Sequence, residues 1–352
     1  MDNSLPRQPE PQRQVLPSRR PSTGPLIDRL QRAHSSLRIS VTDRCNIRCF
    51  YCMPNENIVF RPRAELLSFE EIERFVRAVL PLGIDRLRIT GGEPLVRSDV
   101  TELIRRLNDL PDVKDLAMTT NGLLLSDFAV SLKQAGLHRL NVSLDAISEA
   151  NFQRIARRSG LQRVLDGIAA AQDAGFERIR LNAVAIRGIT ESEAVPLAKF
   201  ARQRGLELRF IEFMPLDGEG QWDTTQVLDG DNLRELLSQE IAPLVPCHRD
   251  DLSQPAVDFA YTDGRGRVGF INPVSEPFCH NCNRIRLTAE GQVRNCLFST
   301  KEWDARTAMR RGVSDEQLRE LVRDCVWQKR PAHGIDTPDF QRPERAMYQI
   351  GG

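Results

Sequence analysis

Arg38-Ile-Ser-Val-Thr-Asp-Arg-Cys45-Asn-Ile-Arg-Cys49-Phe-Tyr51-Cys52 sets three cysteines in a C-x3-C-x2-C spacing directly after a short apolar run. A [4Fe–4S] cube takes four thiolates, one per iron. This loop offers three. A cluster held here keeps one iron open, and an open metal position is where chemistry happens. A zinc site or a disulfide is the plainer reading. Zinc, however, usually takes paired C-x2-4-C knuckles and four protein ligands.

Outward from this loop, a pattern recurs. An apolar run ends in small or polar residues, a helix-like segment follows, and the helix closes on Gly plus an apolar residue, as at Gly83-Ile84 and Gly205-Leu206. Strands are expected at 37–41, 86–90, 115–119, 139–144, 178–186 and 206–213. Capping boxes are expected at Ser68-x-x-Glu71, Asp99-x-x-Glu102 and Thr190-x-x-Glu193. Six strands alternating with helices imply a parallel sheet with right-handed crossovers. Ligands gather at the carboxyl ends of such strands, and the cysteine loop lies just beyond the first. Whether the sheet is open or curled stays open at this level.

Charge and composition exclude several classes. Lys+Arg and Asp+Glu number 49 and 48, so the basic excess on which nucleic-acid binding leans is missing. No run of 18 apolar residues suggests a membrane span. No apolar stretch near the start reads as an export signal, so a cytoplasmic protein with reduced thiols is expected. Eight cysteines then point to metal rather than to disulfides. Residues 1–33, rich in Pro and Arg, read as a disordered extension.

A second cysteine set runs Cys279-His280-Asn-Cys282-Asn-Arg284-Ile-Arg286, then Glu290-Gly291, then Cys296. A turn at Glu290-Gly291 folds Cys296 roughly opposite Ile285, which brings the third thiol to the first two. Again one iron of a cube stays open. Zinc completed by His280 is the rival for this segment. Arg284 and Arg286 share one strand face. Arg38, Arg88, Arg180 and Arg209 also sit on strands. Where such arginines face a barrel interior they need an anion, and several together suit a polyphosphate. A structural salt-bridge network is the alternative. Cys247 and Cys325 belong to neither set and read as plain thiols.

The C-x3-C-x-Φ-C loop, with Tyr51 as its aromatic, closely resembles the signature of the radical S-adenosylmethionine (SAM) enzymes. Both triplets together, Cys282-x-Arg284-x-Arg286 and the final Gly351-Gly352 resemble the GTP 3′,8-cyclase family of molybdenum cofactor biosynthesis, from about residue 34 to the end. The resemblance implies an α/β fold: a partial six-stranded (βα) TIM-like barrel over 34–216. A C-terminal region, 217–352, would carry a second Fe–S cluster and the terminal Gly-Gly tail; by its place after the last repeat, the hairpin 284–296 would cap the barrel mouth. It implies two [4Fe–4S] clusters and SAM as cofactors. SAM would meet Tyr51, Gly92 in Thr90-Gly91-Gly92-Glu93-Pro94, Ser143, Asn182 and Met214. GTP would meet Arg38, Arg88, Thr119, Arg180, Arg209, Arg284 and Arg286. Arg284, Arg286, Gly351 and Gly352 would serve catalysis, the two glycines as a mobile finger.

The implied reaction takes hydrogen from ribose C3′ and joins C3′ to guanine C8, giving (8S)-3′,8-cyclo-7,8-dihydro-GTP. Implied partners are an electron donor such as flavodoxin or ferredoxin, cyclic pyranopterin monophosphate synthase as the next enzyme, and a second copy in a homodimer. The family usually has Lys where this chain has Arg180, so a planar fork replaces a point charge. A peptide-modifying radical SAM enzyme and a non-enzymatic Fe–S or zinc protein are the competing readings.

Overall fold

The six apolar runs become six parallel strands, each within one residue of its expected ends. They are β1 (Ser36–Ser40), β2 (Arg86–Thr90), β3 (Asp115–Thr120), β4 (Arg139–Ser143), β5 (Ile179–Ala185) and β6 (Glu207–Glu212). The computed structural model describes residues 19–217, 220–335, 337–338 and 340–351. Helices α1 (Phe69–Val79), α2 (Val100–Asn108), α3 (Leu125–Gln134), α4 (Glu149–Ala156), α5 (Leu161–Asp173) and α6 (Thr190–Arg204) make the crossovers. Gly83 (φ 89°) and Gly205 (φ 67°) take the left-handed conformation that ends a helix and turns the chain into the next strand. Leu37, Ile39, Leu87, Ile89, Leu140, Val142 and Leu181 are buried with the apolar stripes of these helices in one core.

Of the three expected capping boxes, one forms. Ser68 accepts from the Glu71 N–H while the Glu71 carboxylate accepts from the Ser68 N–H. Asp99 is left-handed (φ 58°) and caps nothing with its side chain. Glu193 turns instead to the segment after β4, where it accepts from the Ile147 and Ser148 N–H groups. The spacing was right for a box, but a neighbouring loop held donors that outcompeted the helix's own end.

The hairpin 284–296 is not a cap over the mouth; it and the other strands of the C-terminal region join the wall. The region supplies α7 (Gly230–Glu240), β7 (Leu244–Pro246), β8 (Val257–Tyr261), β9 (Arg267–Ile271), β10 (Arg284–Leu287), β11 (Gln292–Arg294), β12 (Trp303–Asp304), α8 (Ala305–Arg310), α9 (Asp315–Trp327) and α10 (Met347–Ile350). Among the described residues one sheet runs β12-β11-β10-β1-β2-β3-β4-β5-β6-β9-β8-β7. β10 joins β1 and β9 joins β6, both parallel. The hairpin of β10 and β11 therefore extends the barrel wall. Its register pairs Arg286 with Arg294, which sets Cys296 level with Arg284, one residue from the expected position.

Residues 19–33 are not the disordered tail that their composition suggested; residues 1–18 lie outside the described part. Ile27 bridges Ala33. Leu26 is buried, and its N–H donates to the Leu82 carbonyl at 2.8 Å. The Arg32 guanidinium holds Asp28 at 2.5 Å and reaches the carbonyls of Cys279, Arg330 and Pro331. Few apolar groups are needed where a buried, fully bonded arginine anchors the segment.

Candidate active site

Parallel pairing puts Arg286, Arg38 and Arg88 side by side on β10, β1 and β2. All three line a cavity of about 670 Å³ inside the barrel, joined there by Arg180, Arg209 and Arg284. Like charges in register on adjacent strands repel, and burial removes the water that would screen them. Desolvation first, then Arg284, brings the Arg38 guanidinium down to about 9. Desolvation and the Arg38 charge hold Arg88 and Arg286 well below the usual range. Such a row is costly when empty and is relieved by an anion. Farther along the cavity the arginines are matched by acids. Arg180 Nε meets Glu207 at 2.5 Å, and Arg209 meets Asp258 at 3.1 Å. The salt-bridge alternative thus holds for β5 and β6 but not for the row on β10, β1 and β2.

Cys45, Cys49 and Cys52 are free thiols lining the other end of this cavity. Cys45 and Cys52 both raise Cys49, and Cys45 raises Cys52, so the three stand within reach of one another. Burial pushes Cys45 up to about 11, with the Glu93 carboxylate adding to it. Burial and Asp145 raise Cys49 well above the usual thiol range. The loop is held from below by a close fit of backbone on backbone. The Gly92 N–H donates to the Thr42 carbonyl at 2.7 Å, and a Cβ on Gly92 would stand 2.4 Å from the Arg44 carbonyl oxygen. The glycine pair therefore serves the loop's packing as well as any ligand.

The second triplet is built differently. Burial alone would raise the Cys282 thiol, but the charges of Arg284 and Lys329 outweigh it and hold Cys282 well below its usual range. Cys279 and Cys296 lie within electrostatic reach of each other and of Cys282. His280 is exposed. Among the described residues no three His, Cys, Asp or Glu side chains close on one point as a single metal ion needs. A cube carries its irons at separate corners, so two open sets of three thiols suit it.

The radical SAM superfamily model matches residues 39–201, and the model described as Molybdenum Cofactor Synthesis C matches residues 206–335. A GTP 3′,8-cyclase of Rhodopirellula baltica is 54% identical over 330 residues, covering 93% of this chain and 92% of that protein. One from Pelotomaculum thermopropionicum is 42% identical over 93% of this chain and 100% of its own length.

The chain belongs to the GTP 3′,8-cyclase family.

The structure of Streptococcus suis SuiB bound to S-adenosylmethionine superimposes with a TM-score of 0.58 at 15% identity, over 77% of this chain. This chain spans 63% of the length of SuiB, and the likeness speaks to the fold alone. Family membership brings SAM and [4Fe–4S] clusters as cofactors and sets aside the zinc and scaffold readings.

For this cyclase-family chain, every SAM and GTP position expected from sequence lines the cavity, from Tyr51, Gly92, Ser143, Asn182 and Met214 to Thr119 and the arginines. Gly351 is buried beside the cavity, its carbonyl accepting from the Arg286 guanidinium. It has a packing role as well, because its bare Cα fits against Ser40 and Thr90. Gly352 lies outside the described residues.

Sequence reading missed three groups. Asp145 accepts from the Tyr51 hydroxyl at 2.6 Å and the Val184 N–H at 2.7 Å, and burial lifts it to about 6. Glu93, lifted to about 7 by burial, accepts from the Thr120 hydroxyl and the Asn121 N–H, both at 2.7 Å. Asn121 in turn points its amide at Cys45 Sγ, 3.7 Å away. Lys329 is the third. Only Glu93 had a signal, its place directly after the glycine pair.

Proposed function

We propose that this chain converts GTP to (8S)-3′,8-cyclo-7,8-dihydro-GTP, the first step of molybdenum cofactor biosynthesis. The observation that carries this is the in-register row Arg286, Arg38 and Arg88 in a cavity with the first triplet at one end. When bound, the cluster of Cys45, Cys49 and Cys52 together with SAM supplies the hydrogen-atom abstraction that opens the reaction. Cys279, Cys282 and Cys296 would hold the second cluster.

The chain's own share is positioning and charge. Tyr51, Gly92, Ser143, Asn182 and Met214 hold SAM beside the first triplet. Arg38, Arg88, Arg180 and Arg209 take the negative charge of the triphosphate, and Arg284 and Arg286 keep the guanine beside the second triplet. Thr119 adds a hydroxyl on β3. Gly351, placed against Arg286, closes the site behind the substrate and keeps water from the reacting carbons; for Gly352 the catalytic role rests on the family resemblance alone. Arg180 in place of the usual Lys is already oriented by Glu207, so its fork meets phosphate in one preset plane.

The electron comes from a flavodoxin- or ferredoxin-type carrier, and the product passes to a cyclic pyranopterin monophosphate synthase. The family resemblance supports a cytoplasmic homodimer, which light scattering on the purified protein checks. Anaerobic incubation with SAM, a strong reductant and GTP, followed by mass analysis, tests the main reading. A cyclised product isomeric with GTP, of the same mass and separated from it by chromatography, is expected together with 5′-deoxyadenosine. Release of 5′-deoxyadenosine that ignores GTP, with GTP recovered intact, would reject it. Reconstituted protein should hold about eight irons, from two cubes, and about four after Cys279→Ala, Cys282→Ala and Cys296→Ala are combined.

A further inference from the structure

Lys329 follows α9 by two residues and is almost fully buried. Its ammonium has three N–H groups and three acceptors. These are Cys282 Sγ at 3.2 Å, the Arg284 carbonyl at 2.9 Å and His34 Nε2 at 3.0 Å. Among the described residues no carboxylate pairs with it. A buried cation without a carboxylate is expensive. The group in contact that can carry the compensating negative charge is the Cys282 sulfur.

His34 is set up to aim it. The His34 Nδ1 lies 2.9 Å from the Arg32 carbonyl, so Nδ1 donates there and Nε2 is left to accept from Lys329. Arg32 itself grips the carbonyls of Cys279, Arg330 and Pro331. The ordered segment before β1 thus fixes the lysine in one direction, toward one cysteine. At the first triplet Glu93 and Asp145 add negative potential at Cys45 and Cys49, against which stand the neutral Asn121 amide and the Arg48 charge at Cys45.

We propose that Lys329 is a positioning residue that sets the reduction potential of the C-terminal cluster, placing a fixed positive charge and an N–H donor on its Cys282 ligand. Hydrogen bonds to sulfur and net charge are the protein's main means of tuning such a centre. A cation favours the more negative, reduced form, so Lys329 raises the potential and separates it from that of the N-terminal cluster. The proposal rests on the C-terminal triplet holding a [4Fe–4S] cluster.

The test uses the full chain with Cys45→Ala, Cys49→Ala and Cys52→Ala, which leaves the C-terminal cluster alone for an EPR-monitored redox titration. Adding Lys329→Met should move the midpoint to a more negative potential at unchanged iron content, and Lys329→Arg should restore it. If Lys329→Met loses its iron, Lys329→Gln decides, since it keeps a donor and drops the charge. Its midpoint must also fall below that of the parent. An unchanged midpoint in an iron-loaded variant overturns the role of Lys329 and leaves the cluster assignment standing. A parent that binds no iron overturns the cluster assignment and the proposal with it.

Discussion

Arg286 is the residue where the site's parts meet, between Arg38 on the next strand and the Gly351 carbonyl. Replacing it by Ala removes a buried charge-assisted contact, typically about 1.5–3 kcal/mol. GTP turnover should fall roughly ten- to a hundredfold, because 1.4 kcal/mol is a factor of ten. Reductive cleavage of SAM should remain measurable by 5′-deoxyadenosine release. Equal loss of both in Arg286→Ala, with GTP binding intact by equilibrium dialysis, would move β10 to the SAM end of the cavity. Gly351→Ala asks an L side chain to hold a φ of 80° with its Cβ 2.6 Å from Thr90 Oγ1. The left-handed conformation alone costs on the order of 1–3 kcal/mol. The tail should leave the cavity and cyclisation should fail while the thermal midpoint stays put. Full activity in Gly351→Ala would remove the tail from the mechanism. At this scale the sequence was legible for side chains whose meaning is chemical, such as the six cysteines and the arginines. It was silent on Lys329 and Asp145, whose importance comes from one contact across nearly fifty residues of chain for the first and more than ninety for the second.

Elements were readable where a local rule acts alone. The apolar runs and the helix-closing glycines fix strand ends to within a residue, because burial and backbone conformation depend on near neighbours. Caps read less well, since an Asp or Glu side chain takes the nearest unsatisfied donor, local or not, as Glu193 does. Helix α5 shows the same interplay in packing. A Cβ on Gly167 would stand 2.7 Å from the Gly122 carbonyl oxygen and 2.9 Å from Leu125 Cβ. Alanine gains roughly 0.5–1 kcal/mol as a helix former. Overpacking against backbone that cannot yield costs typically about 1–3 kcal/mol. Gly167→Ala should therefore destabilise, by up to about 2 kcal/mol, read as a lower urea midpoint at constant slope. A raised midpoint would show that α5 can move away from the end of β3 at little cost.

Across the whole molecule, the division at residue 216 does not mark a free-standing barrel. β10 covers the β1 edge, and β9 covers the β6 edge. A fragment of residues 34–216 would expose two parallel edges and the apolar residues beneath them, which invites aggregation. It should be insoluble or lack a cooperative urea transition, whereas the full chain unfolds cooperatively by circular dichroism. A soluble fragment with a sharp transition would restore the two-part division. Composition could not reveal this arrangement, because each edge is closed by a strand from a distant part of the sequence.

That same pairing of β1 with β10 bears on how the protein is made. Ser36 lies beside Arg284, so the first strand to leave the ribosome waits for a neighbour translated 248 positions later. At roughly 5–20 residues per second the wait is on the order of 12–50 s. Contacts so distant in the chain form late in any case. The Cys45–Cys52 loop, directly after β1, stays reachable through that interval. Iron and sulfide can be delivered to a nascent chain whose wall is still open, before the returning strand closes it.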